Sequence, residues 1–144
     1  MIRFVDVIVA GSLGDLPECA TTDDVIAFLG SPEIHESARK SYPEMLVYGD
    51  LEFHARAGQI QEAFISLAGD AFQIRGTAKF EEVPPREERT LARILALLSE
   101  AEVGFAMHAI MSDEDQTVII TTNHVHLAFY EDVLTRIGID FSTT

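Results

Sequence analysis

The sequence predicts an α+β fold of two helix-plus-antiparallel-meander units, with the helices packed on one face of antiparallel sheet. Three observations lead there. Two stretches carry apolar residues at helical spacing behind capping or helix-starting residues, each is followed by short alternating runs joined by turn residues, and the second half repeats the order of the first. On this reading residues 1–76 form the first unit, 77–85 a linker and 86–144 the second, the two making one compact body.

The first element is a short helix. Phe4, Val5, Ile8, Val9 and Leu13 fall at near-helical intervals, although the β-branched run from Val5 to Val9 would also suit a strand. Gly11, Gly14 and Pro17 end it. Thr21-Thr22-Asp23-Asp24 then offers oxygens to the free N–H groups of a second helix over residues 23–29, whose apolar side is Val25, Ile26, Phe28 and Leu29. Gly30 closes that helix and Pro32 prevents its continuation.

Residues 33–44 are polar and read as a loop. Leu46 to His54 reads as a hairpin across Gly49-Asp50, where Gly in first place suits a type II′ turn. Leu46, Tyr48, Leu51 and Phe53 would share one face, with Val47, Glu52 and His54 opposite. Arg56-Ala57-Gly58 makes a second turn, residues 59–67 a third strand and residues 71–75 a fourth.

Beyond Pro84-Pro85 a longer helix spans about residues 86–100. Leu91, Ile94, Leu95 and Leu98 form its apolar stripe, and Glu87, Glu88, Arg89 and Arg93 its exposed side. A strand over 103–111, a solvated turn at Ser112 to Asp115, a hairpin over 116–130 and a last strand over 133–141 complete the chain. In the second hairpin the turn is Asn123-His124. Val118, Ile120, Val125, Leu127 and Phe129 then face inward, and Ile119, Thr121, His126 and Ala128 outward.

The two halves align at a spacing of 74 residues, Leu51-Glu52-Phe53 on Val125-His126-Leu127, and the two helices at a spacing of 69. Leu13-Gly14, Asp24-Val25, Leu29-Gly30-Ser31-Pro32 and Tyr48-Gly49-Asp50-Leu51-Glu52-Phe53 resemble a group of small uncharacterised bacterial proteins. They are also similar to the repeat unit of the β-lactamase inhibitor protein and of SmpA/OmlA-type lipoproteins, closest over residues 13–67. That resemblance implies helices layered on an antiparallel sheet and, for the tandem inhibitor, a sheet surface that binds another protein.

Composition bounds the function. With 144 residues, 47% of them apolar, the chain can bury a real core, and no apolar run approaches the ~20 residues of a membrane span. Met1 to Asp6 carries an acid where a signal peptide has its apolar segment, so the expected compartment is the cytoplasm. Cys19 stands alone, leaving no internal disulfide and no thiolate cluster. A net charge of −14, shared equally by the halves, argues against nucleic acid and anionic membranes and favours a basic partner.

No nucleophile, phosphate loop or calcium loop emerges, and no cofactor is expected. What remains is an outward sheet face of Val47, Glu52, His54, Ile119, Thr121 and His126, where apolar and polar groups mix as on a protein-binding surface. Glu52 with His54, and His124 with His126, each project to one side of a strand and together supply a His/Glu set for a metal. The expected function is a non-enzymatic acidic binding protein, an immunity or inhibitor protein occluding a basic toxin or enzyme. The alternatives are an assembly component that forms a homodimer through exposed strands, and a metal-binding protein or enzyme.

Overall fold

Each local hairpin forms, but the strands do not stay within separate units. The computed structural model describes residues 1–67, 80, 81, 83–108 and 114–142. Helices α1 (Phe4–Ala10) and α2 (Thr22–Leu29) precede strands β1 (Ile34–Glu36), β2 (Glu44–Tyr48), β3 (Leu51–Arg56) and β4 (Gln59–Ser66). A 3₁₀ turn at Arg86–Glu88 leads into α3 (Leu91–Glu100), followed by β5 (Phe105–Met107), β6 (Gln116–Thr121), β7 (Val125–Tyr130) and β8 (Val133–Asp140). All eight strands join in one antiparallel sheet of order β1-β2-β3-β4-β8-β7-β6-β5.

This corrects the expected α+β arrangement of two helix-plus-meander units. Among the described residues the molecule is mostly a single sheet with three short α-helices, and the seam that unites it is β4 against β8, with Ala63 opposite Ile139 and Ile65 opposite Ile137. Pairing the two eight-residue strands removes both as exposed edges, which among the described residues leaves the three-residue β1 and β5 at the margins. Helix α1 does not cover the strands nearest it in sequence either. It packs on β7, where the Asn123 side-chain amide donates to the Val9 carbonyl at 2.7 Å and Gly11 lies against Val125 and Ile139. A Cβ at position 11 would come 3.2 Å from the Val125 side chain, and the backbone there has φ of +65°, so glycine allows the helix to sit this low.

The capping signals are read correctly. The Thr21 hydroxyl accepts from the Asp24 N–H at 3.1 Å, and the Asp24 carboxylate accepts from the Thr21 N–H at 2.9 Å. These reciprocal bonds satisfy donors that α2 leaves free. The expected helix over 86–100 is broken instead, because Thr90 caps α3 through the Arg93 N–H and separates it from the 3₁₀ turn. Arg89, expected on the exposed side, is 7% exposed at that break, and its Nε has no hydrogen-bond partner among the described residues. Burial lowers its pKa, with the neighbouring Arg86 adding to the effect.

Strand β1 lies in the stretch expected to be a loop. All three of its residues are exposed, so no inside–outside alternation marks it in the sequence. The expected fourth strand at 71–75 and the far end of the strand expected over 103–111 lie outside the described residues, as does Asp113.

The core occupies one face of the sheet. Leu46, Tyr48, Leu51, Phe53, Leu127, Phe129 and Ile137 meet Phe4, Ile8, Val25, Ile94 and Leu98 from the helices. Tyr48 is fully buried, and its hydroxyl donates to the Gly30 carbonyl at 2.8 Å. Burial pushes its pKa up to about 12. No helix among the described residues is long and apolar enough to cross a membrane.

Candidate functional site: the helix-free face of the sheet

The alternation of each strand sends every second side chain to the face opposite the helices. On β2 and β3 these are Met45 opposite His54 and Val47 opposite Glu52, as the sequence indicates. On β4 they are Glu62, Phe64 and Ser66, which meet Asp140, Gly138 and Arg136 of β8. On β7 they are His126 and Ala128, and on β6 their partners Ile120 and Val118.

The expected face is therefore only partly assembled. Val47, Glu52, His54 and His126 lie on it. Ile119 and Thr121 do not, being 2% and 3% exposed on the helix side, with Ile119 directly opposite the core residue Leu127. The cause is one extra residue in the turn. Thr122, Asn123 and His124 all lie between the strands, with His124 at φ of +63°. The Thr121 hydroxyl holds this turn by accepting from the N–H groups of Asn123 at 3.3 Å and Val125 at 3.2 Å. A one-residue slip exchanges the faces of a whole strand, so Ile119 and Thr121 turn to the helix side while Val118 and Ile120 turn to the opposite face, where Ile120 is half-buried and Val118 is still only 2% exposed.

At the centre lies a depression of about 280 Å³ lined by Glu62, Phe64, Gln116, Val118, His126, Ala128, Arg136, Gly138 and Asp140. Its floor is open because position 138 has no side chain. A Cβ there would stand 3.4 Å from the Phe64 ring and 3.6 Å from the His126 Cβ. The Arg136 guanidinium carbon lies 4.5 Å from the centre of the Phe64 ring, a cation–π contact, and the His54 ring packs on Phe64 at 5.0 Å with the ring planes inclined at 61°.

Acids gather along one end of this depression. His54 Nε2 is 2.6 Å from Glu52 Oε2, and His54 Nδ1 is 3.7 Å from Glu62 Oε2. Glu62 stands directly across from Asp140 on the paired strands. Burial works to raise the Asp140 carboxyl. Its hydrogen bonds from the Ser142 hydroxyl at 2.6 Å and N–H at 2.9 Å, with His126 and His124 nearby, outweigh that and hold it below the usual carboxylate range.

The metal set of Glu52, His54, His124 and His126 does not come together. Strands ~4.8 Å apart place His54 and His126, three strands from one another, ~14 Å apart, while His124 sits in the turn. Among the described residues no group of three or more His, Cys, Asp or Glu side chains is disposed to hold a metal ion. The residues that sequence reasoning missed, Glu62, Phe64, Arg136, Gly138 and Asp140, are brought together by the β4–β8 seam. Two signals for them were present. Phe64 is an aromatic at a position facing away from Ala63 and Ile65, and Gly138 is an interior strand glycine of the kind that marks a close approach.

No family model matches the chain, and no curated protein matches it. It is similar to the crystal structure of a DUF4309 family protein (YjgB) from Bacillus subtilis, with 14% identity and a TM-score of 0.47 over 94% of this chain and 91% of that one.

Proposed function

We propose that this is a non-enzymatic acidic binding protein of the immunity or inhibitor type, which covers a basic toxin or enzyme with the helix-free face of its sheet, in the cytoplasm. One observation carries the reading. Glu62 and Asp140 stand directly opposite each other across the central seam, beside the Phe64 ring and an open glycine floor. Asp140 is held in its charged form by Ser142 and the nearby histidines, and Glu62 lies across from it, so the pair offers carboxylate oxygens to a guanidinium or ammonium group of a basic partner. The overall charge of −14 would speed the encounter.

Co-expression with the product of the neighbouring gene, followed by titration of the purified pair, tests the proposal. Glu62→Gln with Asp140→Asn is expected to weaken the complex at least ~10-fold and to flatten its salt dependence. Neutralising the exposed turn acids Glu131 and Asp132 should change affinity far less. The absence of any complex at micromolar concentration, or equal losses from both double variants, would overturn the reading.

A further inference from the structure

The depression on the helix-free face holds charges of both signs that do not meet. Glu62 and Asp140 stand at one end, and Arg136, on β8 like Asp140, at the other. Gly138 lies between Arg136 and Asp140 on that strand, and alternate residues project to one face ~7 Å apart. Arg136 is exposed and pairs with no carboxylate among the described residues, although the chain carries 24 acids against 10 Lys and Arg. Its guanidinium lies on the Phe64 ring instead. Because Phe64 stands opposite Gly138, that contact draws the cation back to the row of the glycine, with the acids one row, ~7 Å, beyond.

The acids also keep oxygens to offer. Both bonds from Ser142 fall on Asp140 Oδ1, and the His54 contact of Glu62 falls on Oε2. Asp140 Oδ2 and Glu62 Oε1 accept no hydrogen bond among the described residues. Between the two ends the floor is bare backbone, since Gly138 carries no side chain between the Phe64 ring and His126.

We infer that this depression binds a small zwitterion whose cation and carboxylate are held ~7 Å apart by an apolar chain, the class of ω-amino and ω-guanidino carboxylates. The ammonium or guanidinium end meets Asp140 Oδ2 and Glu62 Oε1, and the carboxylate accepts from the Arg136 guanidinium, each a charge-assisted contact. The methylenes lie on the Gly138 floor beside Phe64. Size agrees with this class, because 280 Å³ falls at the small end of ligand sites, which run from ~300 to 1,000 Å³. Charge agrees as well. A simple anion is repelled by a chain at −14, and a simple cation leaves Arg136 unused, whereas a zwitterion without net charge approaches freely and engages both ends. The inference concerns the same depression as the partner proposed above and does not rest on that partner.

Titration of the full chain alone with ε-aminocaproate, followed by amide NMR shifts, tests the inference, with hexylamine, caproate and glycine as probes that lack the carboxylate, the cation or the span. Saturable shifts at Phe64, Gly138 and Asp140 are expected with ε-aminocaproate, and affinities at least ~10-fold weaker with each of the other three. Arg136→Gln should bring ε-aminocaproate down to the level of hexylamine and leave hexylamine itself no weaker. Gly138→Ala places a methyl 3.4 Å from the Phe64 ring and 3.6 Å from the His126 Cβ, ordinary contact distances, so it should fill the floor and weaken binding ~10-fold with the rest of the amide spectrum unchanged. No saturable shift with ε-aminocaproate, or hexylamine binding as tightly to the wild-type chain, overturns the inference. Neither result bears on a complex with a basic partner, which its own titration decides.

Discussion

The β2–β3 and β6–β7 hairpins carry nearly the same succession of apolar and polar residues, yet they sort their side chains differently. In the first, two residues connect the strands, Gly49 takes φ of +66°, and Tyr48 stands opposite Leu51. In the second, three residues intervene and Ile119 rather than Ile120 joins the core. Turn length therefore decides which half of a strand is inside, and a pattern of alternating residues leaves that choice open when both halves are apolar.

The sharpest way to break this contrast is at β6. Ile119→Ala should cost ~2–4 kcal/mol in chemical denaturation, while Ile120→Ala, on the other face and only half-buried, should cost less than ~1 kcal/mol. The reverse order would restore the two-residue turn. Thr121→Val should lower stability by ~1–3 kcal/mol, since it takes the acceptor from two backbone N–H groups of the turn, one of them buried.

Smaller effects follow at the turns themselves. Gly49→Ala should lose ~1–2 kcal/mol, because an L side chain is disfavoured at that positive φ. His124→Gly should gain ~0.5–1 kcal/mol for the same reason, read as a raised denaturant midpoint. Tyr48, at the end of β2, adds a difference in pH response. Its raised pKa means that the protonated phenol is favoured in the fold, so its contribution is complete below pH 10 and is lost as pH rises towards about 12. Thermal melts across that window should show the loss in wild-type protein and not in Tyr48→Phe. At neutral pH that variant should be ~0.5–1.5 kcal/mol less stable through the lost bond to Gly30.

What the sequence disclosed was local. Thr21 and Asp24 announced the start of α2, Gly49-Asp50 the first hairpin, and Ile94 with Leu98 the buried stripe of α3, because each depends on neighbours a few residues away. Glu52, His54 and Val47 were legible as an outward set for the same reason. The pairing of Glu62 with Asp140 was not, since nothing within β4 or β8 names its partner strand. Ile119 and Thr121 were misplaced by a turn whose extra residue is held by a threonine hydroxyl, a bond with no compositional signature. Arg89 was misread because the Thr90 cap interrupts a helix that the apolar spacing alone would continue.

The β4–β8 seam also sets the order in which the molecule can be completed. Residue 62 must find residue 140, a closure over more than half the chain, whereas every other ladder joins strands near in sequence. As the chain leaves the ribosome, β1 to β4 emerge first, and β4, paired with β3 on one side, waits with the bonds of its other side unmade until β8 arrives. Slow translation of the second half prolongs that interval, and chaperone demand should rise with it.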